Sequence, residues 1–286
     1  MRIDDTFIHR AFELTAPPRR RSFGWYFLIG IVLAFLFVPA LRGDDLGLAS
    51  EAMIAIPAAF ALGVLGGVAS ASRRRRRKRA FVTLARESVQ LEKWEAAAAA
   101  LEGGLTRPIH SESDRASAFL SLAAVAERDK NFGSAIEIYK NLLVNRIGEP
   151  HQLHIVQMAM TSAKLRNEEL TDGIDMLGRL EKMTMPLHYR AVLASIRLYQ
   201  QVFMGQFADA VENLDELREL VRRYLSTRAG YPYALIAKAL HQLGRTDQAE
   251  RYWKDATMLV RPERLTEELP FLAPLQTVYQ AEDRPC

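Results

Sequence analysis

The sequence predicts an all-α protein: a transmembrane helical hairpin near the N-terminus, followed by an α-solenoid of about five helix pairs. Two observations carry this. Residues 23–72 hold two apolar stretches without a charged residue. From residue 85 to residue 253 a pattern of small and bulky side chains recurs about every thirty-eight positions. At 49% hydrophobic and 25% charged, the 286-residue chain is also too apolar to be disordered over most of its length.

Residues 1–22 form a short cytoplasmic segment, with five Arg against Asp4, Asp5 and Glu13. Phe23 to Leu41 follows, nineteen residues without a charge. As a helix it spans roughly 29 Å, about the thickness of a hydrocarbon core. Trp25 and Tyr26 sit where such a helix meets the headgroups. The stretch is longer than a signal-peptide core, and no small-x-small cleavage site directly follows it. The link Arg42–Glu51 leads to a second uncharged stretch, Ala52 to Ser72, in which Pro57 is expected to introduce a kink. Gly63 and Gly67 fall at the spacing by which membrane helices approach closely, either against the first span or in a homo-oligomer.

The juxtamembrane run 73–79 consists of Arg73, Arg74, Arg75, Arg76, Arg77, Lys78 and Arg79. Together with Arg19, Arg20 and Arg21 it places both flanks of the hairpin in the cytoplasm, with Asp44 and Asp45 outside. The run is also suited to anionic lipid heads. It accounts for the basic pI of 9.2, because residues 80–286 carry a net charge of −3. A nucleic-acid-binding domain spreads Lys and Arg over a face of its fold, and that pattern is absent. The usage, rich in Arg and Ala, fits a bacterial inner-membrane protein.

The repeat occupies residues 80–262. Its small residue falls at Ala97, Ala135, Gly173, Ala210 and Ala249, with spacings of 38, 38, 37 and 39. Three positions before it stand Trp94, Phe132, Leu170, Phe207 and Thr246; four after it stand Leu101, Tyr139, Leu177, Leu214 and Trp253. Twelve before it are Ala85, Ala123, Thr161, Leu198 and Ala237. A small residue lets one helix lie close on its partner, while large residues at −3 and +4 fill the space on the same helical face. The pattern predicts first helices over 80–91, 115–129, 152–166, 188–203 and 231–243. It predicts second helices over 94–104, 132–144, 170–183, 207–225 and 247–259, with Asp114 and Thr171 as caps. A single pair cannot bury its apolar stripe, so neighbours stack. Leu265, Leu269, Phe271, Leu272 and Leu275, broken by Pro270 and Pro274, read as a cap over the last repeat within residues 263–286.

On these residues the chain resembles the tetratricopeptide repeat (TPR) family. Ala123, Ala135 and Tyr139 in the second unit, and Ala237, Ala249 and Trp253 in the fifth, stand where that family has its small and aromatic positions. Pro150 and Pro262 close these units as the family's proline does. The period of 38 exceeds the family's 34, and its Leu-Gly pair in the first helix is missing. The resemblance implies a concave groove, lined by first helices, that takes a peptide or partner helix. The matching positions include Arg86, Glu127, Arg128, Ser195, Tyr199, Lys238 and His241. Among these, Arg86, Arg128, Tyr199, Lys238 and His241 are the candidate polar contacts.

Chemistry of other kinds finds little support. No GxGxxG, P-loop, HExxH or GxSxG occurs. The single cysteine, Cys286, excludes an intramolecular disulfide and a cysteine metal cluster. His151 and His154, with Glu149 nearby, lack the further ligands a metal site needs. Glu168 and Glu169 read as a solvated pair in a turn. The expectation is therefore a membrane-anchored scaffold without cofactor or metal. It binds a protein or peptide at the cytoplasmic membrane face. The rivals are a structural subunit that contacts a larger membrane complex through its hairpin and, below it, an enzyme of unknown type.

Overall fold

The computed structural model describes residues 3–17 and 80–280, and all described secondary structure is helical. Among these residues no helix is long and apolar enough to cross a membrane. The expected spans Phe23–Leu41 and Ala52–Ser72, with Gly63 and Gly67, and the run Arg73–Arg79 lie outside the described residues. The chain forms two compact units, residues 1–156 and 157–286.

Unit 1 begins with α1 (Asp5–Leu14). The Asp4 carboxylate caps it by accepting from the Phe7 N–H at 2.8 Å. Next come α2 (80–90), α3 (Trp94–Gly104), α4 (Glu112–Arg128) and α5 (Phe132–Val144). The division between units falls within α6 (Pro150–Arg166). Unit 2 continues with α7 (Leu170–Glu181), α8 (Leu187–Phe203), α9 (Phe207–Ala210) and α10 (Leu214–Leu225). A 3₁₀ turn then leads to α11 (Gly230–Gln242) and α12 (Thr246–Leu259). The C-terminal segment holds α13 (Pro262–Glu268), a 3₁₀ turn over Pro270–Leu272, and α14 (Ala273–Gln280).

The helices lie where the periodicity places them, with three local differences. The fourth second helix breaks at 211–213 into α9 and α10, around Val211 and Asn213, both weak helix formers. Asp114 is not a cap: helix α4 starts earlier, and the Ser111 hydroxyl accepts from the Asp114 N–H at 3.2 Å. Thr171 likewise sits inside α7, whose N-cap position is Glu169.

The repetition is written in the backbone more regularly than in the side chains. Each first helix ends on a residue with positive φ: Glu92 (59°), Lys130 (58°), Glu168 (63°), Gly205 (74°) and Gly244 (74°). Each stands five positions before the small residue of its unit. The next amide always reaches back five residues, as in Lys93 N–H to Ser88 O (2.8 Å), Asn131 to Ala126 (2.9 Å) and Arg245 to Leu240 (2.9 Å). This is the Schellman closure of a helix C-terminus. That same residue then opens the second helix, and its carbonyl accepts from the amide of the small residue, Ala97, Ala135, Gly173, Ala210 or Ala249. Three residues thus link the two helices in all five hairpins. Burial follows the same register. Ala85, Ala123, Thr161 and Ala237 are fully buried and Leu198 nearly so. Ala97, Ala135 and Ala249 are fully buried. A Cβ on Gly173 would meet the Leu165 side chain at 2.8 Å, so glycine is what the close approach of α6 and α7 requires there.

Three of the five left-handed turn positions hold side chains with a Cβ, which costs roughly 1–2 kcal/mol each. Replacing the exposed Lys130 by glycine is therefore expected to raise stability by about 0.5–1 kcal/mol, after the entropy glycine adds to the unfolded chain. Chemical denaturation of the full-length variant checks this; a loss of stability would contradict the turn geometry.

Candidate functional site

The five polar positions expected to line a groove are divided between the two units. Arg86 and Arg128 belong to unit 1, and Tyr199, Lys238 and His241 to unit 2. Arg86 is exposed; Arg128 and Lys238 are half-buried. Tyr199 and His241 are already engaged by the C-terminal segment. The Tyr199 ring packs near Phe203 (5.7 Å between centroids) and Phe271 (6.1 Å), and the Arg166 guanidinium lies 5.9 Å from its centroid. Burial pushes the Tyr199 phenol above its ordinary pKa, against the opposing effect of Arg166. His241 Nδ1 lies 2.9 Å from the Tyr279 hydroxyl. Leu265, Leu272 and Leu275 of the same segment are fully buried, so it is part of the unit 2 core. Two further inner positions are satisfied locally. Glu127 accepts from the Tyr139 hydroxyl at 2.8 Å, and the Ser195 hydroxyl donates to its own helix at Ala191 O.

Glu168 and Glu169 are not a solvated pair. Glu168 is the left-handed turn residue, while Glu169 and Asp172 both accept from the nearly buried Lys164 ammonium at 2.7 Å. Burial pulls the Lys164 pKa down, but the hydrogen bonds it donates to Asp172 and Glu169, with their negative charge, outweigh this and the net shift is upward. Those bonds hold the Glu169 and Asp172 carboxyls below their ordinary values. Depressed carboxylates stabilise the fold above their unfolded pKa, near 4, and lose that contribution as pH falls through the folded values. Lys164→Met is therefore expected to flatten the fall of Tm on acidification from neutral to about pH 3. An unchanged slope would remove this network from the pH dependence.

His151 Nδ1 lies 3.5 Å from Glu149 Oε2, with both side chains more than half exposed. Among the described residues no group of three or more His, Cys, Asp or Glu is placed to hold a metal ion.

The most elaborate side-chain constellation in unit 1 lies elsewhere, where α1 docks. Ile8 is fully buried, and Ala11 and Phe12 nearly so. The Phe12 ring stacks face to face on Phe119 of α4, with centroids 3.7 Å apart. Arg115 clamps the C-terminal end of α1. Its Nη2 donates to Phe12 O at 2.6 Å and its Nε to Thr15 Oγ1 at 3.1 Å, where a helix leaves carbonyls unpaired. Burial lowers the Arg115 pKa, and Glu112 partly opposes this. At the other end, Asn131 Nδ2 and Ser134 Oγ both donate to Ile3 O, at 3.0 and 3.1 Å. A depression of about 690 Å³ beside this seam is lined by Asp4, Asp5, Asp129 and the same Asn131 and Ser134. Residues 3–17 are thus built into unit 1. The signal for it was readable, since Ile8, Ala11 and Phe12 fall at helical spacing on one face.

The fold defines a class: an all-α protein of repeated helical hairpins. Compared with protein-family models, curated proteins and solved structures, the chain matches none.

Proposed function

We propose that the protein is a membrane-anchored, TPR-like scaffold of five helix pairs that binds a protein or peptide at the cytoplasmic face of the membrane. The observation that carries the repeat reading is the recurrence of one three-residue turn, with its left-handed residue from Glu92 to Gly244, in register with the buried small residues. Hairpins of that kind leave the side of each first helix that is turned away from its second helix for a ligand. Arg86, Arg128 and Lys238 are the charged positions there that retain exposure. The membrane reading rests on the uncharged stretches Phe23–Leu41 and Ala52–Ser72 and their basic flanks. A bilayer tether raises the effective concentration of whatever the repeats hold.

The test is affinity purification of the full-length chain from detergent extracts, with mass-spectrometric identification of what accompanies it. A chain starting at residue 80 would lack α1 and bare Phe119, so full-length variants are the sounder reagents. Arg86→Glu and Lys238→Glu should reduce recovery of the specific partner while leaving the far-UV spectrum unchanged. Equal recovery from both would move binding away from these faces, toward the hairpin contact of a structural subunit.

A further inference from the structure

We infer that unit 1 is tethered to the bilayer at two points, and that the edge formed by the Leu105–His110 loop faces the lipid headgroups. The inference rests on the two-span reading of residues 23–72. The two ends of the undescribed stretch 18–79 arrive at the same place on unit 1. On one side, the Ile109 N–H donates to Thr15 O at 3.1 Å, and Arg115 holds Thr15 and Phe12. On the other, the Phe81 ring of α2 covers Gly104 so closely that a Cβ there would overlap it. Both exits therefore converge on the short loop between α3 and α4. Exits placed together in this way suit a chain that leaves a domain, crosses a bilayer and returns on the same side over short links.

Reach sets the scale. Fully extended, the chain from Pro17 to Phe23 covers at most about 20 Å, and from Ser72 to Ala80 about 28 Å. Helix α4 runs away from the loop for 17 residues, so its far end lies roughly 25 Å off. Helix α1 lies antiparallel along it, from Ile3 beside Asn131 back to Thr15 beside Arg115. The loop is thus the near edge and the turn at Lys130 the far one. Large apolar side chains stay exposed within a turn of each exit, Leu14 at 39% and Leu84 at 52%, as suits a headgroup boundary. Thr106, Arg107 and His110 are exposed on the loop, with exposed Glu102 and Glu112 beside it. The mixed charge means that the two covalent tethers, rather than local attraction, hold this edge down. α1 acts as the latch of the first tether.

The experiment uses the full-length chain, Cys286→Ser, reconstituted in phosphatidylcholine vesicles containing a headgroup nitroxide lipid. An environment-sensitive fluorophore is placed at Arg107→Cys or at Lys130→Cys. The label at 107 is expected to lose most of its emission and the label at 130 little. Equal quenching, or stronger quenching at 130, in a chain that resists alkaline extraction would overturn the orientation while leaving the spans intact. Extraction of the chain by alkali would sink the two-span reading and this inference with it. Arg115→Ala should narrow the contrast by freeing α1, with helicity retained; Thr15→Val replaces it where helicity falls. An undiminished contrast would remove α1 as a tether.

Discussion

Phe119→Ala is expected to destabilise unit 1 by about 3–5 kcal/mol, the range for truncating a large buried aromatic. Phe119 is fully buried, and its ring meets Phe12 across a gap of 3.7 Å between centroids. Truncation leaves a cavity on α4 and removes the platform on which α1 rests. Two readouts follow. The Tm of the full-length variant falls, and the segment before Pro17 becomes open to proteolysis at temperatures where the parent resists. Leu84→Ala, at a side chain 52% exposed, should change stability by no more than about 0.5 kcal/mol. A Phe119→Ala variant as stable as the parent, with α1 still protected, would mean that the helix is held by something other than this stack.

Ala249→Phe is the second substitution with a large expected effect. Ala249 is fully buried at the start of α12, in the most extensive helix–helix contact of unit 2, against α11 with its equally buried Ala237. A phenyl ring has no space there without parting the two helices, and overpacking of this kind costs about 1–3 kcal/mol or more. Gln248→Phe, one residue earlier and exposed, should stay within about 0.5 kcal/mol. The contrast between neighbouring positions reads the register of the repeat directly. Equal losses at 248 and 249, or none at 249, would show that the small-residue column does not mark the close approach of the helices.

The hairpin register was legible because it is encoded locally. Each turn returns the chain within three residues, so the second helix must pack on the first, and the pattern of small and bulky residues states which faces meet. The turns themselves were only partly legible. Gly205 and Gly244 announce a left-handed residue, whereas Glu92, Lys130 and Glu168 hold the same conformation without the residue type that signals it. These three turns therefore carry no residue signal of their own, although their backbone matches the two glycine turns. The groove was legible only as a set of positions. That Tyr199 and His241 meet Phe271 and Tyr279 depends on where the C-terminal segment folds back, which no local spacing states.

The sequence by itself determined the helical class, the five hairpins and their phase, because helical periodicity and short turns act over fewer than a dozen residues. Tertiary structure alone decided that α1 belongs to the second hairpin, through Arg115 and Thr15, 100 residues apart in the chain. It also decided that the C-terminal leucines fill the unit 2 core. The physical reason is that an amphipathic stripe specifies that it must be covered, not by which of several similar surfaces. That choice is made by shape and by the few polar groups, here a guanidinium at a helix end, that only one docking arrangement satisfies.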